Sequence, residues 1–240
     1  MDRFLIPLNG VDRDGERAGL AWLQAEALDR RARAGILVPT VPQISQLDAM
    51  LGREGAVKAE RDREFTMGGV KVEIFSAKAA PGTFEGALLV PWADESIVGE
   101  AEQMGPVAIC VLSWSIDDLS GWTRAHRPVD PRSAESVDAT TPKLDPVIEV
   151  GLAIIGPKSL ANRSDLKRVT QNLKAFNMTG GTFNPEEIRI WALADGWAAK
   201  EAKTLADVAQ KILEGRPVRD SKMTLSQAEE VVARLRAAAV

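Results

Sequence analysis

ALLVPWADESIVGEAEQMGPVAICVLSWSIDD, residues 87–118, contains the same pattern twice. The apolar run Ala87-Leu88-Leu89-Val90-Pro91 leads to Trp92, then to acids at Asp94 and Glu95. The run Ala108-Ile109-Cys110-Val111-Leu112 leads through Ser113 to Trp114, then to Asp117 and Asp118. Short apolar runs without polar alternation are strands covered on both faces, as in a parallel sheet between layers of helices. Acids just after each run mark helix starts, because the positive end of a helix favours negative charge. Helices are expected over 94–104 and 116–125. The fold class is therefore α/β, a Rossmann-like, mostly parallel sheet of roughly three to five strands.

Working outward, the segment before residue 87 supplies more of the same architecture. Residues 4–8 form a short apolar run, expected as an edge strand ended by Asn9-Gly10. Residues 15–34 read as a helix with Leu20, Leu23, Ala27 and Leu28 on one face and Gly35 as its stop. Ile36-Leu37-Val38 is a buried strand, followed by a helix over 42–51 with Ile44, Leu47 and Leu51 inward. Residues 53–64 are charge-rich, an exposed helix or a connector. After Gly68-Gly69, Val70, Val72 and Ile74 alternate, which is the period of a strand.

Beyond residue 118 the pattern changes. Residues 127–143, RPVDPRSAESVDATTPK, contain three prolines and no large apolar cluster, and read as a linker. The expected division is an α/β domain over 1–130, a linker over 131–143 and a helical domain over 144–240. In the last part Asp145-Pro146, Ser164 and Thr224 are expected helix starts, the last with Gln227 completing a capping box. Residues 183–219 read as a helical hairpin. Asn184 caps, Pro185 occupies the first helical position, and Glu187 and the Phe183/Ile188 pair complete the start. Gly196 is the left-handed stop, with Trp197 folding over it and Trp191 in the core. Thr204 is the expected cap of the second helix, whose apolar face is Leu205, Val208, Ala209, Ile212 and Leu213.

IRIWALADGW, residues 188–197, with the short connector and second helix after it, resembles the C-terminal DNA-binding domain of xenogeneic-silencing nucleoid-associated proteins. The resemblance spans 185–213. It implies a similar helical hairpin more than it implies DNA binding. Those proteins carry an Arg-Gly-Arg clamp between the helices. Lys200-Glu201-Ala202-Lys203 stands there instead.

The chain has 240 residues, 45% hydrophobic and 27% charged, enough apolar content for an ordinary globular core. No apolar run approaches the ~20 residues needed to cross a bilayer, and the first residues, with acids among bases, make no signal peptide. One Cys and one His rule out a His/Cys zinc cluster within one chain, and no metal or other cofactor is expected. A single Cys in an apolar strand suits the cytoplasm. The net charge of −4 divides into −8 over 1–156 and +4 over 157–222, so the basic part is the candidate to meet a polyanion.

No phosphate-loop, nucleophile-elbow or zinc-protease motif is present, and no catalytic residue is assigned. His126, in RAHRP, is expected as an exposed residue at a helix end rather than a general base. Two sets of candidates remain. Lys200, Lys203, Lys211, Arg216 and Arg219 surround the hairpin and would contact phosphates. Thr40, Ser76, Lys78, Trp92, Ser113 and Trp114 lie where strands end, and in open α/β sheets ligands bind beyond the carboxyl ends of strands. The leading expectation is a non-enzymatic binding or regulatory protein associated with nucleic acid. The alternatives are a sensor or enzyme for a nucleotide-like ligand at the strand ends, and an assembly subunit whose helical part docks on a protein.

Overall fold

The computed structural model describes residues 1–240 except 9, 11, 41, 45–47, 138–139, 156–157, 161, 219–221 and 240, and the side chains of 48–50 and 116. The chain separates into two compact units, Met1–Ala139 and Thr140–Val240.

The first unit is built on a mixed sheet of eight described strands. These are β1 (Asp2–Ile6), β2 (Arg33–Val38), β3 (Glu64–Met67), β4 (Val70–Ser76), β5 (Gly86–Ala93), β6 (Ala108–Ser113), β7 (Val129–Asp130) and β8 (Glu135–Ser136), in the order β3-β4-β2-β5-β6-β1-β7-β8. The six from β4 to β7 run parallel, and the outer strands β3 and β8 pair antiparallel. The two apolar runs that set the fold class are β5 and β6, neighbours in register from Ala87↔Ala108 to Pro91↔Leu112. Their side chains alternate between two cores. Ala87, Leu89, Cys110 and Leu112 join one cluster with Leu20, Leu23 and Ile36. Leu88, Val90, Ile109 and Val111 join the other with Val98, Leu119 and Trp122.

Helices α1 (Arg13–Arg30) and α2 (Asp48–Asp62) cover the first face; α3 (Glu95–Gln103) and α4 (Ser120–His126) cover the second. Asp12 caps α1 by accepting from the N–H groups of Asp14 and Gly15, and Asp94 caps α3 by accepting from Ile97 N. α1 lies close on the sheet because Gly19 leaves room: a Cβ there would stand 3.0 Å from a Leu112 methyl and 3.1 Å from one of Leu89.

Several expectations are corrected here. The strand count is eight rather than three to five, because short pairings at both margins extend the sheet. β1 is internal, flanked by β6 and β7, since the segment after α4 folds back as a hairpin and covers the edge expected to be open. That hairpin, closed by an Asp130–Arg132 ion pair of 2.7 Å, places β8 within the stretch read as a linker. α1 ends at Arg30, with Arg31 in the left-handed region, and leaves Leu28 56% exposed. Gly35 is a strand residue rather than a helix stop; a Cβ there would meet Phe84 at 2.8 Å. α2 runs through 53–62, with a kink at Gly52 where φ is 73°. Leu47 lies outside the described residues.

The second unit is all helical: α5 (Pro146–Ala153), α6 (Arg163–Met178), α7 (Pro185–Ala194), α8 (Ala199–Leu213) and α9 (Leu225–Ala238). α5, α6 and α9 pack on one another, and α7 and α8 pair as a hairpin with α8 against α6. Thr224 and Gln227 form the expected capping box. The cap of α6 is Asn162, two residues before Ser164, and its side chain accepts from Ser164 N. Leu213, expected inward, is 40% exposed. The largest displacement concerns α8. It starts at Ala199, and Thr204 is an interior residue whose hydroxyl donates to Lys200 O. Lys200-Glu201-Ala202-Lys203 are good helix formers. Ala202 is fully buried, and Glu201 accepts from Leu160 N at 2.8 Å, so a further turn forms before Thr204.

Candidate functional sites

Because α8 begins early, Lys200 and Lys203 sit on the helix itself. At 3.6 residues per turn they and Lys211 fall within about 80° of arc, opposite the buried face of Ala202, Leu205, Val208, Ala209 and Ile212. All three lysines are exposed, and among the described residues none pairs with a carboxylate. Three other cations of this unit are paired. Lys158 reaches Asp195 at 3.1 Å, Arg189 reaches Glu186, and Arg216, just past the helix, pairs with Glu214. Glu214 also accepts from Gln210 at 2.7 Å. Asp207 lies within the lysine arc and weakens its potential. Arg219 lies outside the described residues. Of the five cations read from the sequence, the structure therefore presents three on one face of α8, none in an ion pair among the described residues, and ties Arg216 to Glu214.

The other six candidates lie along the carboxyl edge of four adjacent strands, β4, β2, β5 and β6. Neighbouring strands stand about 4.8 Å apart, so Ser76 and Ser113 are separated by roughly 14 Å across the sheet, too far for one small ligand to touch all six. Several of the groups are already engaged. Ser113 is fully buried, and its hydroxyl accepts from Leu8 N at 3.1 Å and faces Leu8 O at 3.4 Å, tying β6 to the end of β1. Thr40 uses its N–H and its hydroxyl on Gln43 Oε1, both at 2.9 Å. Ser76 is buried and Lys78 exposed in the turn that follows it.

The two tryptophans behave differently. Trp114 is 48% exposed, with its carbonyl accepting from Gly10 N. Trp92 packs partly on the α1-side core at a bulge between Pro91 and Ala93, and its φ is +54°. A bulky residue in the left-handed region is strained. Acids occupy each helix start along this edge: Asp12, Asp14 and Glu16 on α1, Asp94 and Glu95 at α3, and Asp117 and Asp118 in the turn after β6. The starts of α1 and α3 are already capped by carboxylates, which disfavours a phosphate at those two helix ends.

One cluster escaped the sequence reading. His126 is not exposed: its side chain is 7% accessible, and it meets Trp122 edge-on with ring centroids 5.7 Å apart. Glu102 of α3 accepts from Arg3 Nε at 2.7 Å and from Trp122 Nε1 at 3.1 Å, and lies 3.9 Å from His126 Nε2. That nitrogen is buried without a hydrogen-bond partner among the described residues. Burial, reinforced by the Arg3 charge and opposed by Glu102, lowers the His126 pKa to about 4. The cluster ties β1, α3 and α4 together at the amino end of the sheet, away from the carboxyl edge. The signal for it was the Trp122–His126 spacing of four, which puts both on one helix face.

Residues 144–236 match a family described as a domain of unknown function, DUF1889, a span that runs from just before α5 into α9. No curated protein and no solved structure matches the chain. Among the described residues no helix is long and apolar enough to cross a membrane.

Proposed function

We propose that this chain is a cytoplasmic, non-enzymatic binding protein of regulatory type that docks on nucleic acid through the lysine face of α8. One observation carries the reading: Lys200, Lys203 and Lys211 stand exposed on one side of a helix with no carboxylate partner among the described residues. Like charges held together repel, and a polyanion relieves that repulsion while its counterions are released. The face has no array of base-reading side chains, so contacts to phosphate set the affinity and sequence preference is small. Cys110, buried in β6, fits a reducing compartment.

Variants of opposite sign test the reading. With Lys200, Lys203 and Lys211 all replaced by Gln, which keeps helix propensity, duplex binding at low salt should weaken at least about tenfold. Asp207→Asn, which removes an unpaired opposing charge within the arc, should tighten it. Circular dichroism should show both folded, since all four side chains are on the exposed face. A triple variant that binds as the parent does would remove α8 from the interface. Failure of the parent itself to bind at low salt would leave docking on a protein as the use of this unit.

A second reading, a small ligand at the carboxyl edge of the sheet, is favoured by Trp92. Residues held at unfavourable φ cluster at binding sites, and the acids along this edge suit a neutral or cationic ligand better than a nucleotide.

A further inference from the structure

Away from the carboxyl edge, a cleft of about 460 Å³ opens between α1, α2 and β3. That is within the range of small-molecule sites. Part of its wall is apolar: Leu51, Phe65 and Met67 are only partly buried and pack their inner sides on the α1-side core. Three charged residues complete the lining. Asp62 is held by both ends of the Arg61 guanidinium, at 2.7 and 2.9 Å, and Glu64 is paired with Lys71 at 2.7 Å. Lys58, one turn before Asp62 on α2, is exposed, and among the described residues it forms no ion pair. The lining therefore offers apolar surface and one ammonium outside any ion pair, whose charge helps hold Asp62 ionised one turn away, while both lining carboxylates are already paired with cations outside the lining.

We propose that this cleft binds a small amphipathic carboxylate, its apolar body against Leu51, Phe65 and Met67 and its head on Lys58. A charge-assisted hydrogen bond to the ammonium would fix the orientation, and burial of the ligand's apolar body would supply most of the affinity. The site lies in the first unit, so its fate is independent of the lysine face on α8.

Calorimetric titration of the intact chain with decanoate, decanol and decylamine tests it. Decanoate should saturate at one per chain, with decanol about tenfold weaker and decylamine weaker still. Lys58→Gln should reduce decanoate to the affinity of decanol and leave decanol unchanged. Gly55→Leu fills the cleft from α2 and should abolish binding of both, with circular dichroism confirming the fold. Equal affinity for the three head groups, no saturable heat with decanoate, or full binding by either variant would overturn the proposal.

Discussion

Trp197→Ala is expected to cost the helical unit about 3–5 kcal/mol, the scale of a fully buried large aromatic truncated to a methyl. Trp197 is 4% exposed. Its N–H donates to Ala192 O at 2.9 Å across the Gly196 turn, where φ is 87° and Gly196 N donates to Leu193 O. Its indole N–H reaches Asp195 at 3.3 Å. The residue therefore closes the end of α7 and seals the hairpin in one position. Trp191, expected in the core, is only half-buried, so Trp191→Ala should cost clearly less. Native-state hydrogen exchange at the α7 and α8 amides would measure both losses. Equal losses, or a larger one at Trp191, would contradict the packing described.

The second large effect is on acid stability. The folded pKa of His126, about 4, lies below its ordinary value of 6.5 because burial disfavours the imidazolium. A depressed folded pKa means the unfolded chain binds the proton first. The neutral form's contribution is therefore complete above about pH 6.5 and is lost as pH falls toward 4. The whole contribution is about 3 kcal/mol, the free energy separating a pKa of 6.5 from one of about 4. His126→Phe keeps a ring on Trp122 and removes the titration. The stability difference between parent and variant should shrink by about that amount across this range in urea titrations. Parallel pH profiles would show that His126 does not titrate in this window.

How much of this was legible in the sequence follows from which signals are local. β5 and β6 were readable because both of their faces are buried, leaving continuous apolar runs. Asp94, Asn184 and the Thr224/Gln227 pair were readable because a cap is a contact within a few residues. What was lost depends on distant chain. β1 looked like an edge because its second neighbour, β7, comes more than a hundred residues later and is two residues long. Gly35 looked like a helix stop because Phe84, which needs the space, is far along the sequence. Thr204 looked like a cap because its chemistry suits one. The buried Ala202 and the anchored Glu201 extend the helix past it, and that extension carries Lys200 and Lys203 onto the face of Lys211. The lysines were named from composition, but their alignment and the pairing of Arg216 with Glu214 came only from structure. His126 was misread because Glu102 and Arg3, which enclose it, lie on other elements.

The most direct measurement of the lysine-face account is a titration of fluorescent duplex with the full chain at a series of salt concentrations. If Lys200, Lys203 and Lys211 each contact one phosphate, the log–log slope should be about −2.7, so that a fourfold rise in salt weakens binding roughly 40-fold. The triple Gln variant should show a slope near zero. A flat salt dependence in the parent, or a slope that the triple variant retains, would contradict the account.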